Sequence, residues 1–172
     1  MNALRLIKAV KVVAVGTMAL ILAISGFVRT VVGQASCDVG QYWATYADEK
    51  GHRFSHCERG PINYDWGNSG PRSAAGVPGK SDGVSTIIGP DHFHAEWTGR
   101  FHFDDGMYTF IAKADDGIKV WVDGVQIINE WRIQAATQFE RRRSMTKGEH
   151  TLRVEYFEGA EAAVAKFWWE KR

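Results

Sequence analysis

The chain has 172 residues, 24% of them charged and 45% hydrophobic, with a formal net charge of +1 at pH 7. Four of its 21 basic residues and none of its 20 acidic ones fall in residues 1–35, so the remaining 137 residues carry a formal charge of −3. That balance argues against nucleic acid as a partner, since such binding needs a basic footprint, and 137 residues is a single-domain length able to bury a sizeable core.

The N-terminal segment reads as an export signal. Arg5, Lys8 and Lys11 precede an uncharged apolar run over residues 12–28. Its 17 residues exceed the apolar core of about 7 to 15 in a signal peptide and fall short of the roughly 20 of a spanning helix. A cleaved signal peptide and an N-terminal membrane anchor are therefore both open. Gly33-Gln34-Ala35 puts small residues at the two positions a signal peptidase reads and favours release of a chain beginning at Ser36. An anchor would keep Lys8 and Lys11 inside. On either reading the domain, residues 36–172, is extracytoplasmic, secreted or at the cell surface, and meets a membrane only through an uncleaved N-terminal segment. Cys37 and Cys57 are the only cysteines. In an oxidising compartment they are expected to form a disulfide that ties down the N-terminal end of the domain.

Beyond the export segment the apolar pattern has period two and glycine-rich punctuation, which predicts strands and tight turns. Residues 38–90 are the least readable, and a loop is expected between Gly67 and Gly83. Phe93, Ala95 and Trp97 alternate with His92, His94 and Glu96, as a half-buried antiparallel strand requires. Phe101 and Phe103 continue that strand past Gly99, which reads as a bulge. Asp105-Gly106 turns the chain into a strand over residues 107–114. Ile118, Val120 and Val122 then share one face, with Lys119 and Trp121 on the other, and Asp123-Gly124 is a strong hairpin signal. Residues 125–128 form the partner strand. Residues 138–145 read as a polar edge strand, with Arg141-Arg142-Arg143 as a solvated edge. Leu152, Val154 and Tyr156 point inward from the next strand, and Ala163, Ala165, Phe167 and Trp169 close the domain. Short strands at this spacing predict an all-β fold, an antiparallel β-sandwich.

The stretches EWTGRFHF, GMYTFIAKADDGIKVWVDGVQI and TLRVEYFEG, with the closing FWW and the upstream INYDWG, resemble the PA14 domain, named after the anthrax protective antigen. The likeness spans roughly residues 40 to 170 and is carried by Trp97-Thr98-Gly99, Asp115-Asp116-Gly117 and the hairpin residues 121–124. The resemblance implies a β-sandwich of PA14 type, a fold found in toxins, yeast adhesins and glycosidase inserts, several of whose members bind carbohydrate through calcium. In the lectin-like members the aspartates matching Asp115 and Asp116 clamp the ion through a cis peptide, and a residue at the end of the late strand, here Glu158, assists.

Calcium takes 6 to 8 oxygen ligands, and neighbouring carboxylates are a ready source. Side chains that alternate across an extended strand cannot both face one ion, so the link between the two aspartates must bend. The sequence departs from the yeast adhesins at Glu158, where they carry asparagine, and Gly159-Ala160-Glu161 lacks their tryptophan-bearing loop. Sugar specificity is therefore not carried over. The expectation is an extracytoplasmic binding module that recognises a glycan or cell-surface polysaccharide at Asp115 and Asp116, with Ca2+ held by Asp115, Asp116 and Glu158. The alternative is a structural or adhesive protein-interaction module with neither site, in which Asp115-Asp116-Gly117 is a turn capped by its own carboxylates. Trp131 and Tyr64 are candidates to stack on a sugar ring. His92, His94, Glu96 and His102 read as a polar face rather than a metal site. No acid pair or nucleophile sits in a reaction motif, so catalysis is not expected.

Overall fold

The structure, a computed structural model, describes residues 37–72 and 87–172. The export segment or anchor of residues 1–35 lies outside them, as does most of the loop expected between Gly67 and Gly83.

Ten strands follow one another: β1 (Gln41–Asp48), β2 (Arg53–Arg59), β3 (Ile62–Gly67), β4 (Phe93–Phe103), β5 (Gly106–Asp115), β6 (Gly117–Val122), β7 (Val125–Glu130), β8 (Thr137–Met145), β9 (Gly148–Glu158) and β10 (Ala163–Lys171). They form two sheets, in the orders β2-β1-β4-β9-β6-β7 and β3-β10-β5-β8, and every neighbouring pair is antiparallel. The core holds the inward residues of both sheets: Tyr42, Ala44 and Tyr46 of β1, Phe93, Ala95 and Trp97 of β4, Leu152, Val154 and Tyr156 of β9, and Ala163, Ala165 and Phe167 of β10. Their strict alternation is the period-two pattern of strands with one face on a core.

The Asp123-Gly124 hairpin has φ of 52° and 75° at its two central residues, the left-handed pair that a type I′ turn demands. β8 is a polar edge strand with Arg141 and Arg142 exposed. Gly99, however, is no bulge. The β4–β9 register runs unbroken from Phe93↔Glu158 to Phe103↔Gly148. Glycine is needed there because a Cβ would lie 2.3 Å from the Gln41 carbonyl oxygen. Register shifts lie instead between Val120 and Trp121 and between Ala163 and Val164. Trp121 faces outward, with the Arg153 guanidinium 4.8 Å from its ring, so of the tryptophans in alternating runs only Trp97 is fully buried, and Trp169 packs on the core while half-buried.

Cys37 and Cys57 form the expected disulfide. One residue beyond it, Glu58 is a charged hub beneath the aromatic core. Its carboxylate accepts hydrogen bonds from the Tyr46 hydroxyl (2.6 Å), the Tyr64 hydroxyl (2.7 Å) and the Trp97 indole (3.1 Å), and pairs with His56 at 2.7 Å. Burial acts to raise this carboxyl, but the His56, Tyr46 and Tyr64 hydrogen bonds outweigh it and hold it below the usual range.

The hairpin is anchored to β9 through Asp123. Its carboxylate accepts from the Thr151 N–H (2.9 Å) and meets His150 Nδ1 at 2.7 Å, while His150 Nε2 reaches the Thr146 carbonyl at 2.9 Å. The hydrogen bond to Asp123 raises the imidazole above its ordinary value of 6.5. Burial pushes the Asp123 carboxyl up, yet His150 and Thr151 hold it down overall. A folded-state His value above the unfolded one contributes stability that is complete below about pH 6.5 and is lost as pH rises through the raised value. The melting-temperature gap between the native protein and His150→Gln is therefore expected to be widest near pH 6 and to close by pH 9. A gap that is flat across this range would show that the imidazolium contributes nothing.

Candidate functional site

The chain changes sheets four times at one end of the sandwich: between β3 and β4, between β5 and β6, between β7 and β8, and between β9 and β10. Asp115 closes β5 in the four-stranded sheet and Gly117 opens β6 in the six-stranded one, so Asp115-Asp116 spans the gap. The peptide bond between the two aspartates is cis. Glu158 ends β9 on the same side, where Phe157 pairs with Gly117. A Cβ at Gly117 would lie 2.0 Å from the Phe157 ring, so that ring can lie across this position only because residue 117 has no side chain.

One carboxylate oxygen from each of Asp115, Asp116 and Glu158 lies within 4.8 Å of the other two. Among the described residues this is the one group of three such side chains so arranged. Asp116 and Glu158 are buried, at 3% and 2% exposure, and Asp115 is half-buried.

Backbone donors from two loops hold the aspartates. Asp116 accepts from the Gln134 N–H (2.9 Å) and the Gly159 N–H (2.8 Å), and the Gln134 side-chain amide donates to the Asp116 carbonyl (2.8 Å). Asp115 accepts from the Ala136 N–H at 3.1 Å. A Cβ at Gly159 would lie 3.0 Å from an Asp116 carboxylate oxygen. Each aspartate thus has a fixed direction before any ligand arrives.

Glu158 is held differently. Oε2 contacts the Tyr156 hydroxyl at 2.7 Å, while Oε1 is buried without a hydrogen-bond partner. The Tyr156 hydroxyl also contacts the Asp115 carbonyl oxygen. One O–H proton cannot fully serve a carbonyl and a carboxylate together. Burial first, and then the charges of Asp116, Asp115 and Asp91, push the Glu158 carboxyl up to about 7 against the opposing Tyr156 hydrogen bond. Asp115 is also raised, by burial above all, with Asp116 and Glu161 adding to it. A buried carboxylate with one orphaned oxygen, clustered with two more carboxylates, fits a hard cation, whose charge would relieve the desolvation and repulsion together.

The other sequence candidates lie elsewhere. Tyr64 stacks on Trp66 at 4.7 Å and is committed to the core cluster and to Glu58. Trp131 stands on the β7–β8 loop, 39% exposed, with the Lys119 ammonium 4.0 Å over its ring and Phe157 at 4.7 Å. His92 precedes β4, and Glu96 is paired with Arg153 at 3.3 Å. The supporting donors of Gln134, Ala136 and Gly159 could not be named from the sequence, because backbone N–H groups leave no residue signature.

The family model described as "PA14 domain" matches residues 74–170, more than half of the chain. The chain belongs to the PA14 domain family. The curated Anti-sigma-I factor RsgI3 of Acetivibrio thermocellus is 32% identical over 114 residues, covering 64% of this chain and 16% of that protein, so this PA14 chain spans about a sixth of that relative. A solved "anti-sigma factor domain-containing protein" is 27% identical, with a TM-score of 0.59, over 78% of this chain and 44% of that one. A "PA14 sugar-binding domain from RTX adhesin" shares the fold at 21% identity and a TM-score of 0.53, over 78% and 91% of the two chains.

Substitution Glu158→Gln removes a buried charge that is repelled by both aspartates and keeps an oxygen for Tyr156. In chelator at pH 8 it is expected to stabilise the PA14 domain by about 1 kcal/mol, read as a higher melting temperature. A marked drop would show that the carboxylate is already compensated within the fold.

Proposed function

We propose that this PA14 domain is a non-catalytic, extracytoplasmic recognition module that binds a glycan through calcium held by Asp115, Asp116 and Glu158. The observation that carries the reading is the buried Glu158 carboxylate, whose Oε1 has no hydrogen-bond partner and one of whose oxygens lies within 4.8 Å of a carboxylate oxygen of each aspartate. With one oxygen from each, three carboxylates supply half or less of a calcium shell, which needs 6 to 8 oxygens. The open side of the ion would then be completed by water or by a pair of sugar hydroxyls, neutral oxygens that suit a hard cation. The aspartates, fixed by Gln134, Ala136 and Gly159, would hold the ion without rearranging, and Glu158 would release its proton on binding. Trp131, 39% exposed on the β7–β8 loop three residues before Gln134, is the aromatic group offered to stack on a sugar ring. The sugar-binding RTX adhesin domain of the same fold supports glycan as the ligand class.

The anti-sigma factor relatives support a second use of the same site, in which occupancy is an input to a regulatory partner rather than an end in itself. Both uses require the ion and the ligand. A purely structural or adhesive module requires neither.

Calcium titration followed by thermal melting separates these readings. A site present only in the folded form stabilises by RT ln(1 + [L]/Kd), about 2.7 kcal/mol at 100 times Kd, equivalent to roughly 5 to 10 °C for a domain of this size. The shift is expected to vanish in the double variant Asp115→Ala with Asp116→Ala. No shift at millimolar calcium would leave the structural module as the function. Binding to a glycan array is expected with calcium and lost with chelator.

A further inference from the structure

Beside the three carboxylates the surface falls into an open recess lined by Asn68, Pro90, Asp91, Ala160 and Glu161. Contacts tie it to the cation cluster. The Glu161 N–H donates to Asp91 at 3.2 Å, and the His92 N–H donates to the Gly159 carbonyl at 3.1 Å. The N–H of that same Gly159 donates to Asp116 at 2.8 Å. Glu161 adopts φ of 81°, an uncommon conformation for a residue with a side chain, and both Asp91 and Glu161 are exposed.

Among the described residues none of these five carboxylates forms an ion pair. Among the described residues, Arg132 of the β7–β8 loop pairs with Glu130 at 2.6 Å, and Lys119 of β6 lies over Trp131. One divalent ion leaves the three-carboxylate cluster with a charge of about −1, and the two rim carboxylates add to that deficit. Uncompensated negative charge where a ligand must dock repels like charge and tolerates neutral or positive groups.

We infer that the site, used as proposed above, takes uncharged or amine-bearing sugars and rejects carboxylated or sulfated ones, with Asp91 and Glu161 as the residues that set this selectivity. The inference rests on the calcium-dependent glycan reading and goes beyond it by fixing the charge class of the ligand. Because the two rim groups are exposed, their effect is screened by salt.

The test uses the calcium-loaded protein on an array of matched hexose, hexosamine and hexuronic acid oligosaccharides, at about 20 mM and 500 mM salt. At low salt the hexuronic acids are expected to bind at least about threefold to tenfold more weakly than the matched hexoses. The gap should narrow at high salt and in the double variant Asp91→Asn with Glu161→Gln. Calcium titration of that variant reports whether its fold and ion site persist, and Glu161→Gln alone, at an exposed side chain, should close part of the gap. Equal binding of hexuronic acids and hexoses by the native protein, or a gap unchanged by the variants, overturns the inference and leaves calcium-dependent sugar recognition standing. If no array sugar of any charge is retained although calcium binds, both the inference and the glycan reading fall.

Discussion

The site depends on how the chain passes from one sheet to the other between β5 and β6. Two residues bridge that gap, both are aspartates, and both carboxylates end near a third that terminates β9. Bringing three like charges into a mostly buried corner is costly in a low-dielectric setting. Asp116 is offset by two backbone donors from loops that change sheets at the same end, and Asp115 by one. Glu158 has no such compensation on one of its oxygens. The arrangement is thus settled for two members and unsettled for the third, and that imbalance is what the proposed cation would relieve.

The core supports this corner directly. Tyr156 is fully buried among Trp66 and Phe93, yet its hydroxyl ends at Glu158 and at the Asp115 carbonyl. A buried tyrosine needs a polar partner for its hydroxyl, and here that need binds the aromatic layer to the carboxylates. At the far side of the same cluster Glu58 does the converse, drawing Tyr46, Tyr64 and Trp97 around a carboxylate that is fully satisfied. The half-buried Glu58 and the buried Glu158 therefore have opposite characters, and the difference lies in the number of donors each can reach.

Much of this was legible in the sequence. The period-two runs gave strands β4 to β10 and their inward faces, because antiparallel strands with one covered face alternate by construction. The Asp123-Gly124 turn was readable from two residues. Strands β1 to β3 were not, although Tyr42, Ala44 and Tyr46 do alternate. Trp43 and the polar residues of β2 blur the pattern, and the disulfide and Glu58 hub that order them act over distances a local pattern cannot carry. Gly99 misled for a related reason. Its lack of a side chain serves the neighbouring β1 backbone rather than its own strand. The three carboxylates could be named from the PA14 resemblance, but the donors that orient them come from loops whose side chains are incidental, and the rim acids Asp91 and Glu161 are brought together only by the tertiary fold.

The polar edge strand β8 has a further consequence. It leaves one margin of the four-stranded sheet open, with unpaired backbone groups that could template a strand from another copy. Arg141 and Arg142 stand exposed along that margin, so two copies meeting edge to edge would bring rows of guanidinium groups together. Packed at high local concentration, such domains can crowd side by side without zipping into fibrils, because the charged margins repel before the edges can pair.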